Sequence, residues 1–365
     1  MEWPVKLFRC QHCDQVLYFE NVRCEKCGHR LGYRPEAFLL SALEPEGEGA
    51  WRALGVPGQS YRFCANAAYD VCNWLIPAGS PDAYCVACRH NRTVPDLSVP
   101  ENLPPWRRIE AAKHRLFYTL LRLRLPLTTR WQDAEHGLAF DFLADPPSDS
   151  APKVMTGHDN GLITIALAEA DDASREQRRV EMGEPYRTLL GHFRHEVGHH
   201  YWDILVRDGG RLEQCRAVFG DDRQDYGAAL QAHYAGGAPL DWQEHFISAY
   251  ASAHPWEDFA ETWAHYLHMV DTLEMATAFG LRVRPRVDKD RELAAEMDID
   301  PYQARGVRQL VDAWLPLTFA MNSLNQCMGE AELYPFILSP AVIHKLGFIH
   351  DLLHVAAEGS SAAVS

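Results

Sequence analysis

Residues 184–205 read EPYRTLLGHFRHEVGHHYWDIL, and within them His195-Glu196-Val197-Gly198-His199 form an HExxH pattern. Leu189, Leu190, Phe193, Val197, Tyr201 and Trp202 recur at helical spacing, so the segment predicts a buried amphipathic helix over about 184–206. Residues four apart on a helix are neighbours, which lets two imidazoles bind one zinc while Glu196, projecting beside them, activates a water. A polar group inside a buried helix is costly unless it binds something, and this favours a site over an ordinary solvated face.

Two protein ligands leave such a zinc one short of the usual three. An HExxHxxGxxH extension requires Gly at position 202 and His at 205, where the chain has Trp202 and Leu205. Asp203, one turn beyond His199, is expected to orient a His ligand. Downstream, 254–263 reads HPWEDFAETW, with Glu257 and Glu261 one turn apart. One carboxylate there can complete a site of two His and one Glu, and the other can accept a hydrogen bond from a ligand imidazole. Two Glu at this spacing also suit a solvated helix face.

Eight of the ten cysteines precede residue 90. Cys10-x2-Cys13 and Cys24-x2-Cys27-Gly28 are two knuckles whose four thiolates can converge on one structural zinc. Cys64, Cys72 and Cys85-x2-Cys88 are spaced more loosely and suggest a second four-cysteine site, the other reading being core thiols with Cys85 and Cys88 using His90 or idle. Four thiolates leave no open position, so both sites are expected to be structural, and without metal so small a Cys-rich region could hardly fold. Cys215 and Cys327 are expected to be buried core thiols.

The expected organisation is a zinc-ribbon region over 1–95, with its sites in 1–40 and 60–92, then a proline-rich linker at 96–106. A catalytic domain at 107–358 and a disordered tail at 359–365 follow. VPDLSVPENLPP (94–105) has four prolines, each fixing its own φ and biasing its predecessor away from helix. From Trp106 the pattern turns helical, 138–145 and 161–171 read as strands, and the remainder is mainly helical, which makes the class α+β.

With 365 residues, 47% of them hydrophobic, the chain can bury sizeable cores. A formal charge of -15 argues against nucleic-acid binding, because phosphates are held by clustered Lys and Arg. Residues 1–40 carry six Lys/Arg against five Asp/Glu and form no basic patch. No run of apolar residues is long enough for a membrane span and no export signal is evident, so a cytoplasmic location with reduced thiols is expected.

The ExxAE run Glu257–Glu261 resembles that of the gluzincin metallopeptidases, and in particular of lethal-factor-type toxins. That resemblance implies a zincin-like catalytic domain with Glu257 as third ligand and Glu261 in support. It also implies an oxyanion donor at Tyr250, with Tyr201 and Tyr234 as rivals. A broader resemblance rests on the N-terminal knuckles, ITIALAEAD (163–171), HEVGHHYWD (195–203) and HPWEDFAETWAHYLHM (254–269). In these the chain resembles the bacterial zinc-binding metallopeptidases with zinc-ribbon domains. The implied activity is hydrolysis of a peptide bound in extended form, using one catalytic and two structural zinc ions and Glu196 as base. The ribbons leave room for a protein partner. The alternatives are a ribbon-based binding or scaffold protein with an inactive or structural HExxH site, and a hydrolase of a specialised non-peptide amide.

Overall fold

The computed structural model describes residues 4–56, 58–146, 152–171, 188–287 and 289–362, which form two compact units. The first unit holds most of residues 1–121 together with 128–157 and 162–171. In it β1 (Leu7–Arg9) and β2 (Val16–Tyr18) pair antiparallel above the first knuckle. A five-stranded antiparallel meander follows in chain order: β3 (Arg30–Arg34), β4 (Leu39–Gly47), β5 (Ala50–Ala53), β6 (Ser60–Phe63) and β7 (Leu75–Pro77). The β4–β5 hairpin turns at Glu48-Gly49, both at positive φ (49° and 80°), the backbone that matches the twist of paired strands.

The sheet packs on aromatic side chains. Tyr33, Trp74 and Tyr118 are fully buried, with Tyr33–Trp74 centroids 4.7 Å apart and Phe19–Tyr118 5.5 Å apart. Tyr118 lies on α1 (Leu103–Arg122), so this core continues past the proline-rich stretch. Helix α1 starts at Leu103, before the expected end of the linker. Pro104 and Pro105 fall in its first turn, where a missing N–H costs nothing because that group has no helical partner. Beyond the ribbon, β9 (Ala139–Leu143) runs parallel to β8 (Asn91–Thr93) on one side and to β10 (Leu162–Ala166) on the other.

The second unit is helical: α2 (Leu189–Tyr201), α3 (Leu212–Phe219), α4 (Tyr226–Gly236), α5 (Pro255–Ala278), α6 (Val307–Cys327) and α7 (Pro340–Ala362). The expected first turn at 184–187 lies outside the described residues. Thr188 caps α2, its hydroxyl accepting from Gly191 N at 2.9 Å, an interaction worth about 1 kcal/mol. In the stretch 241–253 the helical pattern yields only a single turn at Trp242–His245 and a 3-10 turn at Tyr250–Ala253. Proline keeps its predecessor His254 extended, and the His254 ring accepts from Trp256 N to start α5 with Pro255 in the first turn.

Helix α5 is buried for most of its length and packs against α2, α6 and α7. Cys215 is buried as expected. Cys327, by contrast, is exposed: it is the last residue of α6, where the helix end stands clear of the core and Ser323, Leu324, Gln326 and Met328 are exposed as well. Helix α7 runs to Ala362, into the stretch read as a tail, and 363–365 lie outside the described residues. Among the described residues no helix is long and apolar enough to cross a membrane.

Candidate metal centre

Helices α2 and α5 approach closely because Gly198 has no side chain. A Cβ built on it would stand 3.1 Å from Ala260 Cα and 3.2 Å from the Trp263 ring. Tyr201 stacks on Trp263 at 5.0 Å, and a buried ion pair joins Arg194 of α2 to Asp271 of α5. These contacts fix the register in which α2 presents its two histidines to the first turns of α5.

At that junction three donor atoms converge. His195 Nε2 lies 3.1 Å from His199 Nε2 and 3.0 Å from Glu257 Oε2, and His199 Nε2 lies 3.5 Å from the same oxygen. Ligands about 2.1 Å from a tetrahedral zinc are spaced about 3.4 Å from one another, so the triangle fits the ion. Two ring nitrogens and a carboxylate oxygen are the donor set of a hydrolytic zinc site that keeps an open position. Glu257 is 1% exposed and His199 3%, and a carboxylate so buried calls for a cation.

Glu261 accepts a hydrogen bond from His195 Nδ1 at 2.7 Å and another from Ser248 Oγ at 2.6 Å. The ring is thereby held with Nδ1 protonated and Nε2 turned to the ion. Burial raises the Glu261 pKa, but the hydrogen bond and charge of His195 outweigh it and bring the carboxyl down to about 2. Glu196 is itself buried, on the same helix as the two histidines.

Asp203 takes a different place from the expected one. It lies in a π-helical turn, Trp202–Arg207, and accepts from Arg207 at 2.7 Å, while among the described residues His199 Nδ1 has no hydrogen-bond partner. The wider π turn carries position 203 off the face that an unbroken α-helix would give it. The His199 ring instead lies against Trp256, with centroids 3.7 Å apart and the planes tilted by 36°.

Tyr250 comes to the site, its ring 6.0 Å from that of His195. Of its rivals, Tyr201 is turned away, its hydroxyl donating to the Pro126 carbonyl, while Tyr234 is 61% exposed and lies near enough to Tyr250 to act on it electrostatically. The structure adds Tyr226, at the start of α4, whose hydroxyl donates to Glu257 Oε1 at 2.6 Å. No spacing relative to HExxH or ExxAE pointed to it. Burial and the charge of Glu257 push both phenols up, so each stays a protonated donor.

Both cysteine clusters also converge. Cys10 and Cys27 sulfurs are 3.6 Å apart, as are Cys13 and Cys24, and Cys72 and Cys85 are 3.8 Å apart. All are free thiols, and tetrahedral zinc with about 2.3 Å bonds spaces its sulfurs about 3.8 Å apart. The first two knuckles share one turn: the residue after each pair, Asp14 or Gly28, is at positive φ, and its N–H returns to the carbonyl of the first cysteine. Cys64, Cys72, Cys85 and Cys88 are all buried and mutually within 4.8 Å.

Residues 7–99 match a zinc-ribbon domain, and residues 102–352 match the family described as "Putative zinc-binding metallo-peptidase". The chain is 40% identical over 347 residues to uncharacterized proteins of Mycobacterium tuberculosis and Mycobacterium bovis, covering 95% of this chain and 94% of each relative. No solved structure matches significantly. With a convergent His-His-Glu triad, two cysteine clusters and a match across most of its length, the chain belongs to this zinc-binding metallo-peptidase family, with a zinc-ribbon domain at its N-terminal end.

Proposed function

We propose that the chain is a zinc-dependent peptidase in which His195, His199 and Glu257 hold the ion and Glu196 is the general base. The observation that carries this reading is the convergence of the three donor atoms within 3.0–3.5 Å, two of them on the helix that also bears Glu196. A zinc ion held there supplies Lewis acidity, polarising a carbonyl and acidifying water. Glu196 takes the proton of the attacking water and passes it to the leaving amine. Tyr250 donates to the carbonyl oxygen as negative charge develops on it, and Tyr226 holds Glu257 in place. Two further zinc ions in the cysteine clusters bring the number to three per chain. Reduced cysteine clusters suit a cytoplasmic location, and the substrate is a peptide or protein bound in extended form. An intact Glu196 favours this reading over a binding or scaffold role, since retaining a metal requires the ligands and not the base.

The test is cleavage of a proteome-derived peptide library by zinc-loaded wild type beside Glu196→Gln, read by mass spectrometry of new termini. Metal content of both proteins is measured in parallel. Cleavage products from wild type alone are expected, and identical termini from the two proteins would refute the assignment.

A further inference from the structure

The second cysteine cluster has a neighbour that neither the ribbon's cysteine spacing nor the zinc-ribbon match over residues 7–99 includes. His114, on α1, points Nε2 at three of the four sulfurs, 3.3 Å from Cys72, 3.6 Å from Cys88 and 4.0 Å from Cys85. Its other nitrogen, Nδ1, meets the Glu110 carbonyl at 2.6 Å. A carbonyl can only accept, so Nδ1 carries the hydrogen, and in the neutral ring Nε2 presents a lone pair to the cluster. A ring anchored through one nitrogen to a carbonyl, with the other facing the site, is the usual arrangement of a metal-ligating histidine. Glu110 also approaches Cys88, with Oε2 3.7 Å from the sulfur, while its Oε1 accepts from Lys113 at 3.0 Å and Asn91 at 2.7 Å.

The distances decide what Nε2 can do. Averaging about 3.6 Å from the sulfurs of Cys72, Cys85 and Cys88, it stands above the face that they form, whose Cys72–Cys85 edge is 3.8 Å. A zinc on the Cys64 side of that face is out of its reach. On the His114 side, with the face drawn to the tetrahedral edge of about 3.8 Å, a zinc keeping its three bonds of about 2.3 Å lies about 2.2 Å from Nε2, within reach of a zinc–nitrogen bond. The Cys72–Cys85–Cys88 face is thus the common base of two tetrahedra, one with Cys64 at its apex and one with His114.

We propose that His114 is an alternate apical ligand of the second ribbon zinc, which passes through the shared face to become a Cys3His site when Cys64 lets go. One zinc–sulfur bond breaks as one zinc–nitrogen bond forms, with no change of oxidation state. The cluster thereby keeps its metal without Cys64, and a residue of the peptidase-family segment becomes part of the ribbon's site. The proposal does not depend on the peptidase reading.

The experiment counts metal in the full-length chain, purified with zinc and separately reconstituted with cobalt, for wild type, Cys64→Ser and Cys64→Ser/His114→Gln. Wild type and Cys64→Ser are expected to hold the same number of ions, the single variant losing thiolate-to-cobalt absorption for one sulfur while its tetrahedral bands persist. The double variant is expected to lose one ion. Loss of that ion in Cys64→Ser alone, or its retention in the double variant, overturns the proposal. An empty peptidase site would lower all three counts equally and leave their differences unchanged. His114→Gln with Cys64 intact retains four thiolates and tests the same point without risking the fold. It should release one zinc to a chelator several-fold faster than wild type, and equal release rates overturn the proposal.

Discussion

Glu261→Gln removes a charge while keeping shape, and the site geometry sets the size of the effect. The carboxylate accepts from His195 Nδ1 at 2.7 Å and from Ser248 at 2.6 Å. Its pKa, lowered from 4.5 to about 2, corresponds to at most about 3 kcal/mol of interaction. The side chain is 19% exposed, so solvent screening reduces that ceiling. Partners that orient a ligand imidazole are typically worth about 10–100-fold in metal affinity, or about 1.4–2.8 kcal/mol. The catalytic zinc of Glu261→Gln should therefore bind about 10–100-fold more weakly, while the cysteine-bound ions are unaffected. Competition with a graded series of chelators measures this directly. An affinity unchanged from wild type would show that Glu261 does not orient His195, and the reasoning would fail.

Gly198→Ala gains about 1 kcal/mol in helix propensity but forces a methyl against Ala260 and Trp263, an overpacking cost of about 1–3 kcal/mol. A net loss of about 1 kcal/mol in unfolding free energy, with weaker catalytic zinc binding, is expected from denaturant titration and chelator competition. Greater stability together with unchanged zinc affinity would contradict the close approach. Tyr226→Phe deletes the donor to Glu257 Oε1 and should weaken the same zinc about tenfold. Isothermal titration showing no change would remove Tyr226 from the site. Burial lowers the pKa of His265 from 6.5 to about 4, so the unfolded chain takes up a proton between those values that the folded chain refuses. Stability should accordingly fall by up to about 3 kcal/mol as pH drops from 6.5 to 4. Denaturation midpoints of His265→Gln should slope less steeply over that range than wild type, and parallel slopes would count against the assignment.

What could be read from the chain depended on whether partners lie on one element. His195, Glu196 and His199 are neighbours by helical spacing alone, and Glu257 and Glu261 are one turn apart whatever surrounds them. The knuckles Cys10–Cys13 and Cys24–Cys27 are similarly local. Tyr226 and His114 were not legible, because each acquires its partner through packing: Tyr226 by the placement of α4 beside Glu257, His114 by the docking of α1 on the ribbon. Asp203 was placed by continuing an ideal helix through a segment that widens into a π turn. The linker ended early for a related reason, since proline breaks a helix interior but is accommodated in its first turn.

The central claim is that His195, His199 and Glu257 hold one zinc independently of the eight ribbon cysteines. It is tested most directly by zinc counted by mass spectrometry on native protein, wild type beside His199→Ala. Three ions in wild type and two in the variant, with the ribbon's metal undisturbed, is the predicted result. Equal counts in the two proteins would contradict it.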